Sequence, residues 1–278
     1  MKELKGRKLI LILGMPLGLG CIYFGNPAFA IVTALIMILG IDEFFKMCEL
    51  KGSSPNRIFG FIITLFVALA YAGIYSHHQI TVLGFCCAAV ISVFIIEILN
   101  NKKDPLNNIA HTLMGVLFIP VLIGTIIQVR QLDHIYNSNI TLFVFVSIWL
   151  CDTAAFFFGT KFGKKKILPD ISPKKSWVGS ISGFIVSVLT FFVAFKFDLL
   201  GVSYNLYDSL VFGIITSIFG QLGDFGESLL KRDVGVKDSG QILRGHGGIL
   251  DRFDSLLFSA PLVYIYLLVF KYLSLIHI

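Results

Sequence analysis

Charge is scarce in this sequence. Asp, Glu, Lys and Arg make up 14% of its 278 residues, against about 25% in an ordinary soluble domain. That deficit excludes a soluble globular fold. The five cysteines, Cys21, Cys48, Cys86, Cys87 and Cys151, form no Cys-x-x-Cys pair, so neither a cysteine zinc site nor a disulfide framework is supported. All five lie in or beside apolar runs, where Cys acts as a small hydrophobe. His77, His78, His111, His134 and His277 have no metal-ligand spacing. No internal repeat is evident. The first apolar run has no clear small-residue cleavage site after it, so it is expected to be a span and not a removed signal. What the chain has in abundance is apolar side chains, 56% of the total, with a mean hydropathy of +0.83.

A membrane span needs about 20 mostly apolar residues. Nine candidates are present, at 9–25, 28–45, 58–76, 80–99, 108–128, 139–159, 177–195, 208–230 and 253–273. The breaks carry turn residues: Gly25-Asn26-Pro27, Gly52-Ser53-Ser54-Pro55, Asp104-Pro105 and Ser172-Pro173. The expectation is a single all-α, polytopic membrane domain over 1–278. Residues 1–105 would be mainly scaffold, and 106–278 would carry the polar chemistry. Cytoplasmic loops of membrane proteins are enriched in Lys and Arg. Of the 23 Lys and Arg, only Arg130, Lys196 and Lys271 fall in the even-numbered segments between spans. This bias places the N-terminus and the two most polar loops, 160–176 and 231–252, in the cytoplasm. The net charge of +6 therefore suits a membrane surface and not a nucleic acid, because the basic residues sit between apolar runs.

Three stretches carry unusual polarity. In "GQLGDFGESLLKR", Asp224, Glu227 and Lys231 recur at i, i+3 and i+7 and share a helix face. An intramembrane carboxylate is by default a functional group. Gly220, Gly223 and Gly226 let a neighbouring helix approach. In "HGGILDRFD", Asp251 and Asp254 face one way at the start of the last span. Gathered carboxylates repel unless a cation neutralises them, and hard oxygen ligands suit Mg²⁺. Gly245, Gly247 and Gly248 flank His246 and offer backbone N–H groups to an anion. In the third stretch, Trp149 to Gly179, Asp152 lies within the sixth span and six lysines follow it. Those lysines are partly topology anchors drawn to anionic lipid. Ser172 and Ser176 around Lys174 and Lys175 also suit a triphosphate. Asp42, Glu43 and Lys46 are expected at the membrane interface. Glu97 is expected to snorkel or to pair with Lys102. The residues by themselves describe a cytoplasm-facing site of several Asp, a cation, and Lys for phosphates, with a lipid co-substrate. A cation-coupled transporter and a CTP-dependent lipid kinase are the competing readings.

The segment Ser228 to Asp254, "SLLKRDVGVKDSGQILRGHGGILDRFD", closely resembles the defining motif of the phosphatidate cytidylyltransferases, the CDP-diacylglycerol synthases. The pattern runs Ser-x-x-Lys-Arg, then Lys-Asp, then His-Gly-Gly-x-x-Asp-Arg-x-Asp. Upstream, "DTAAFFFG" and "ISPKKSW" are similar to a second region of that family. The chain departs from the pattern at Arg244, where Pro is usual, and at Cys151, where Ser is usual. It also departs at Phe156, where an aromatic hydroxyl is common, and at Val178, where an acid is frequent. The resemblance implies that CTP and phosphatidic acid give CDP-diacylglycerol and pyrophosphate, for phospholipid biosynthesis. It implies Mg²⁺ as cofactor, with a second, monovalent cation such as K⁺, and a homodimer in a bacterial inner membrane. By the same resemblance Asp224, Asp251 and Asp254 are metal-site carboxylates, and Lys231, Lys237 and His246 are catalytic. Asp152, Lys174, Lys175, Ser176, Ser228, Arg232, Asp238, Gly247, Gly248 and Arg252 bind nucleotide or cofactor.

Overall fold

The computed structural model describes residues 20–73, 80–136, 139–201, 203–242 and 247–272. Its helices are α1 (Asn26–Leu50), α2 (Arg57–Tyr71), α3 (Ile80–Asn100), α4 (Pro105–Val116), α5 (Leu122–Tyr136), α6 (Ile140–Phe162), α7 (Trp177–Lys196), α8 (Leu206–Asp233) and α9 (Leu250–Leu267). No strand occurs among the described residues, only an isolated antiparallel bridge between Lys166 and Ser176. The all-α expectation holds. Six of the helical rods are long and apolar enough to cross a membrane. Two further apolar helices, 15 and 21 residues long, stand where the third and fourth spans were expected. Residues 9–19 of the first expected span, 9–25, lie outside the described residues.

Local chemistry sets the helix ends. Asn56 accepts an N–H from Phe59 and caps α2. Asn205 and Asp208 form a reciprocal capping box on α8. Pro27 and Pro105 sit in first turns, where a missing N–H costs nothing. Pro120, by contrast, lies inside a rod. There the chain widens into a π-helical turn, Leu117–Val121, which joins α4 to α5. The rod runs from Pro105 to Tyr136, longer than the 108–128 read from hydropathy.

Helices α6, α7, α8 and α9 pack in sequence, each along the next, and α9 also lies along α5. Helix α1 packs on α2 and α5. Lipid gives helices no hydrophobic reason to associate, so small residues and polar contacts draw them together. The clearest polar contact is a hydroxyl triad from three helices. Ser147 Oγ of α6 lies 2.6 Å from Ser187 Oγ of α7 and 3.1 Å from Thr216 Oγ1 of α8, and the last two are 2.9 Å apart. All three side chains are buried.

The polar loops gather at one end. Arg232 Nε donates to the carbonyl of Ile171 at 3.2 Å, which ties loop 163–176 to the end of α8. Lys51 pairs with Asp233 at 2.6 Å, and Lys102 donates to the carbonyl of Ser54. At the other end Asn139 donates to the carbonyl of Leu199, and Lys271 pairs with Asp208. The four lysine-bearing loops among the described residues therefore share one face, as the charge parity requires.

Two expectations need correction. Glu97 neither snorkels nor pairs with Lys102. It is buried and accepts the Asn108 side-chain amide at 2.6 Å. Glu43 is not interfacial either. It is 1% exposed and turned into the protein, whereas its neighbour Asp42 does pair at the surface with Lys46 and Arg57. Both glutamates point inward because a protein donor meets each, and a buried acceptor must find one.

Candidate active site

A cavity of about 480 Å³ opens at the lysine-rich end, between α6, loop 163–176, α7 and α8. Its polar lining includes Asp152, Lys166, Lys174, Lys175, Ser176 and Asp224. Such a volume is typical of a small-molecule site. Asp152 comes from α6, which ends at Gly163. The chain then returns past Lys166 and Ser176, whose bridge folds the loop back over the cavity. Ser176 Oγ accepts the N–H of Gly179 and starts α7, so its expected binding role is joined by a capping one.

Lys175 Nζ lies 2.5 Å from Asp224 Oδ2 and 4.1 Å from the centre of the Phe225 ring. The ammonium is thus held by a carboxylate and an aromatic face together. Asp254 reaches the same place from α9, within electrostatic range of Asp224, Glu227 and Asp152. Arg252 is within range of Asp152. Helix α9 can come this close because of Gly223: a Cβ there would stand 2.4 Å from the carbonyl oxygen of Asp254. Ser228 Oγ stands 3.5 Å from Asp224 Oδ1.

A second polar cluster lies nearer the end of α8. Lys231 Nζ donates to Glu227 Oε2 and to Asp251 Oδ1. The side chains of Lys231, Glu227 and Asp251 are 9%, 0% and 11% exposed. Asp251 Oδ2 accepts the Gly248 N–H at 2.7 Å, the Ser239 N–H at 2.9 Å and the Ser239 hydroxyl at 3.1 Å. Asp251 therefore closes the Gly-rich loop onto α8.

This geometry divides the expected carboxylate trio. Asp254 interacts electrostatically with Asp224 and Asp152, while Asp251 turns to Lys231 and the loop. Among the described residues no three Asp, Glu, His or Cys side chains converge at metal-ligand spacing. Asp152, Asp224 and Asp254 are nonetheless mutually repelling hard-oxygen donors, the chemistry that suits a divalent cation. Asp224 and Asp254 could hold such an ion, with Asp152 beside them.

Other expected residues are spread more widely. Lys237 and Asp238 line a separate hollow of about 380 Å³ beside Lys46 of α1. Arg232 braces the two loops through the carbonyls of Ile171 and Val236. Lys174 is exposed on the cavity rim. Gly247 and Gly248 are in the loop that Asp251 closes. His246 lies outside the described residues. Sequence reasoning missed Ser239 and Gln221, whose amide meets Ser180 and Cys151. It also missed Lys166 as a cavity residue, although that lysine stood in a run already marked as basic.

Fold and cavity together define an integral membrane protein with a cavity lined by lysines and aspartates at one end of its helices. The chain matches the Cytidylyltransferase family over residues 5–270 and belongs to it. Among its relatives, the phosphatidate cytidylyltransferase of Bacillus subtilis is 31% identical over 272 residues, covering 98% of this chain and all of the relative. That of Staphylococcus haemolyticus is 35% identical, covering 95% of this chain and 99% of the relative. That of Staphylococcus epidermidis is 33% identical over 266 residues.

Proposed function

We propose that this chain transfers the cytidylyl group of CTP to phosphatidic acid, forming CDP-diacylglycerol and releasing pyrophosphate. One observation carries the reading beyond the family relationship. Lysines and aspartates for a triphosphate line a cavity whose wall includes Phe156, and Phe156 is 73% exposed on the apolar flank of α6. A polar site that borders the lipid-facing surface suits one water-soluble and one lipid substrate.

The chemistry asks little of a general base. A phosphate monoester has a second pKa of about 6, so the lipid phosphate is already a nucleophile near neutrality. Its oxygen attacks the α-phosphorus of CTP in line as the bond to the β-phosphate breaks and pyrophosphate leaves. Lys166, Lys174 and Lys175 hold the triphosphate and offset charge on the leaving group. Asp224 and Asp254, with Asp152 beside them, would hold Mg²⁺, which would supply positive charge to neutralise phosphate oxygens; Asp251, engaged by Lys231 and the Gly-rich loop, would position α9. The acidic cluster is also where a monovalent cation such as K⁺ would bind. The cavity faces the cytoplasm of a bacterial inner membrane, on the side the lysines mark. The resemblance supports a homodimer as the working unit.

The test is an assay with position-labelled CTP. Label at the α-phosphorus should enter the lipid phase with phosphatidic acid, and label at the γ-phosphorus should leave as pyrophosphate. Transfer of γ-label to lipid would mean a kinase instead, and no transfer of either label would refute the reaction.

A further inference from the structure

Helix α9 carries Asp251 and Asp254, yet its own sequence gives it no side-chain cap. The first N–H groups of a helix lack partners within it and need acceptors from elsewhere. Here they find Glu43 of α1, some two hundred residues away in sequence. Glu43 Oε1 accepts the Ile249 N–H at 2.9 Å, and Oε2 accepts the Leu250 N–H at 2.9 Å. The same Oε2 accepts the Ser239 hydroxyl at 2.8 Å. Ser239 also donates to Asp251, so one serine joins the two carboxylates. The chain of contacts runs Glu43, Ser239, Asp251, Lys231, Glu227, and it crosses α1, the Gly-rich loop, α9 and α8.

The loop's glycines are shaped to this carboxylate. A Cβ on Gly240 would stand 2.4 Å from Glu43 Oε1, and one on Gly248 would stand 2.2 Å from Oε2. Neither site could carry a side chain without displacing Glu43. The anchorage of α1 does not depend on the carboxylate. Ile41, Phe44 and Phe45, adjacent on α1, are fully or nearly fully buried in the apolar core. A neutral replacement of Glu43 therefore leaves α1 seated and loosens only the loop and the start of α9.

We propose that Glu43 is a positioning residue for the cytidylyl transfer: it clamps Ser239 to Ile249 and Leu250 at the start of α9, and so sets Asp251 against Lys231 and Asp254 beside Asp224. The residues taken for scaffold thereby take part in building the site. This rests on the proposed reaction. A carboxylate is required because both oxygens receive donors. Glutamine would turn its NH₂ against one of those N–H groups and lose that contact.

The test compares Glu43→Gln with Asp42→Asn in the purified full-length protein. Asp42 is the adjacent acid but pairs only at the surface. Steady-state kinetics with CTP and phosphatidic acid, thermal unfolding and amide hydrogen exchange are measured on both. For Glu43→Gln, kcat per folded molecule should fall about 10- to 100-fold, the usual cost of losing a group that orients ligands. KM for phosphatidic acid should stay within about twofold, and exchange of the amides at 247–251 should quicken about tenfold or more. Asp42→Asn should match wild type in all three. Unchanged kcat in Glu43→Gln, or a loss explained wholly by less folded protein, overturns the proposal. If wild-type protein forms no CDP-lipid, the reaction itself is wrong. The clamp is then judged by exchange alone, and unchanged exchange overturns it too.

Discussion

Replacing Lys231 with Met keeps an unbranched apolar stem, one atom shorter, and removes the charge. Its ammonium lies between Glu227 and Asp251, both almost wholly buried. Removing one partner of a buried ion pair costs roughly 3–5 kcal/mol, because the remaining charge has no water and no counter-ion. Here two carboxylates are left, but not equally. Asp251 keeps three donors from Ser239 and Gly248, while Glu227 keeps none that the structure shows, its Oε1 being buried without a partner already. Most of the cost therefore falls on Glu227. At roughly 2–4 °C per kcal/mol for a domain of this size, Lys231→Met should unfold on the order of 10 °C lower than wild type. Adding Glu227→Gln should recover about half of that loss, since the orphaned charge is gone. Activity should recover in neither, because Asp251 still lacks its tether to α8. Thermal unfolding of the four proteins of this cycle, in one detergent and one salt concentration, measures the coupling. A Lys231→Met protein that melts within a degree or two of wild type refutes the reasoning. So does a double variant no more stable than the single one.

Asp224→Asn and Asp254→Asn should each lower turnover by about 10²-fold or more, on the order of 3 kcal/mol, with little change in stability, since each relieves repulsion in the cluster and the Lys175 pair that Asp224 gives up is partly exposed. Asp251→Asn should lose turnover and stability together, which separates it from the other two by thermal unfolding. Chelation should abolish the activity of the wild type and Mg²⁺ should restore it; persistence in excess chelator would remove the cation from the scheme. Lys175→Arg should raise KM for CTP more than Lys174→Arg does, because Lys175 fills a fitted place between Asp224 and Phe225 and Arg does not share its geometry. Unchanged CTP kinetics in the correctly inserted double variant would show both lysines to be surface anchors. Single cysteines near Lys165 and Lys237 should label from the same, cytoplasmic face in intact cells; labelling from opposite faces would contradict a shared site.

Much of this molecule can be read from the chain alone. Apolar runs longer than a bilayer's thickness leave few options but helices, and the distribution of Lys and Arg orders their ends. The loops tied by Arg232 and Ile171 were paired in advance by that parity. Helix periodicity placed Asp224 with Glu227 and Asp251 with Asp254, because i and i+3 share a face. It did not reveal that each pair divides. A rise of about 1.5 Å per residue separates i from i+3 by nearly one turn, enough for Asp224 to meet Lys175 while Glu227 meets Lys231. Glu43 was illegible for a different reason. Asp42 and Glu43 are adjacent acids at a helix end with the same local chemistry, and only contacts with Ser239, Ile249 and Leu250 tell them apart. The π-helical turn at Pro120 leaves no mark on hydropathy, which is blind to hydrogen-bond geometry.

The hydroxyl triad of Ser147, Ser187 and Thr216 has a mechanical consequence. A full-turn slide of α7 against α6 or α8 would be about 5.4 Å, and apolar ridges alone would permit it at modest cost. With three buried hydroxyls exchanging hydrogen bonds, any such slip strands donors and acceptors in a dry interior. The triad acts as a detent. Asp152 stands five residues along α6 from Ser147, and Asp224 eight residues along α8 from Thr216, about 8 and 12 Å of rise. The vertical calibration that lets Lys175, at the mouth of α7, meet Asp224 is thus set at a latch within the bundle, well away from any phosphate.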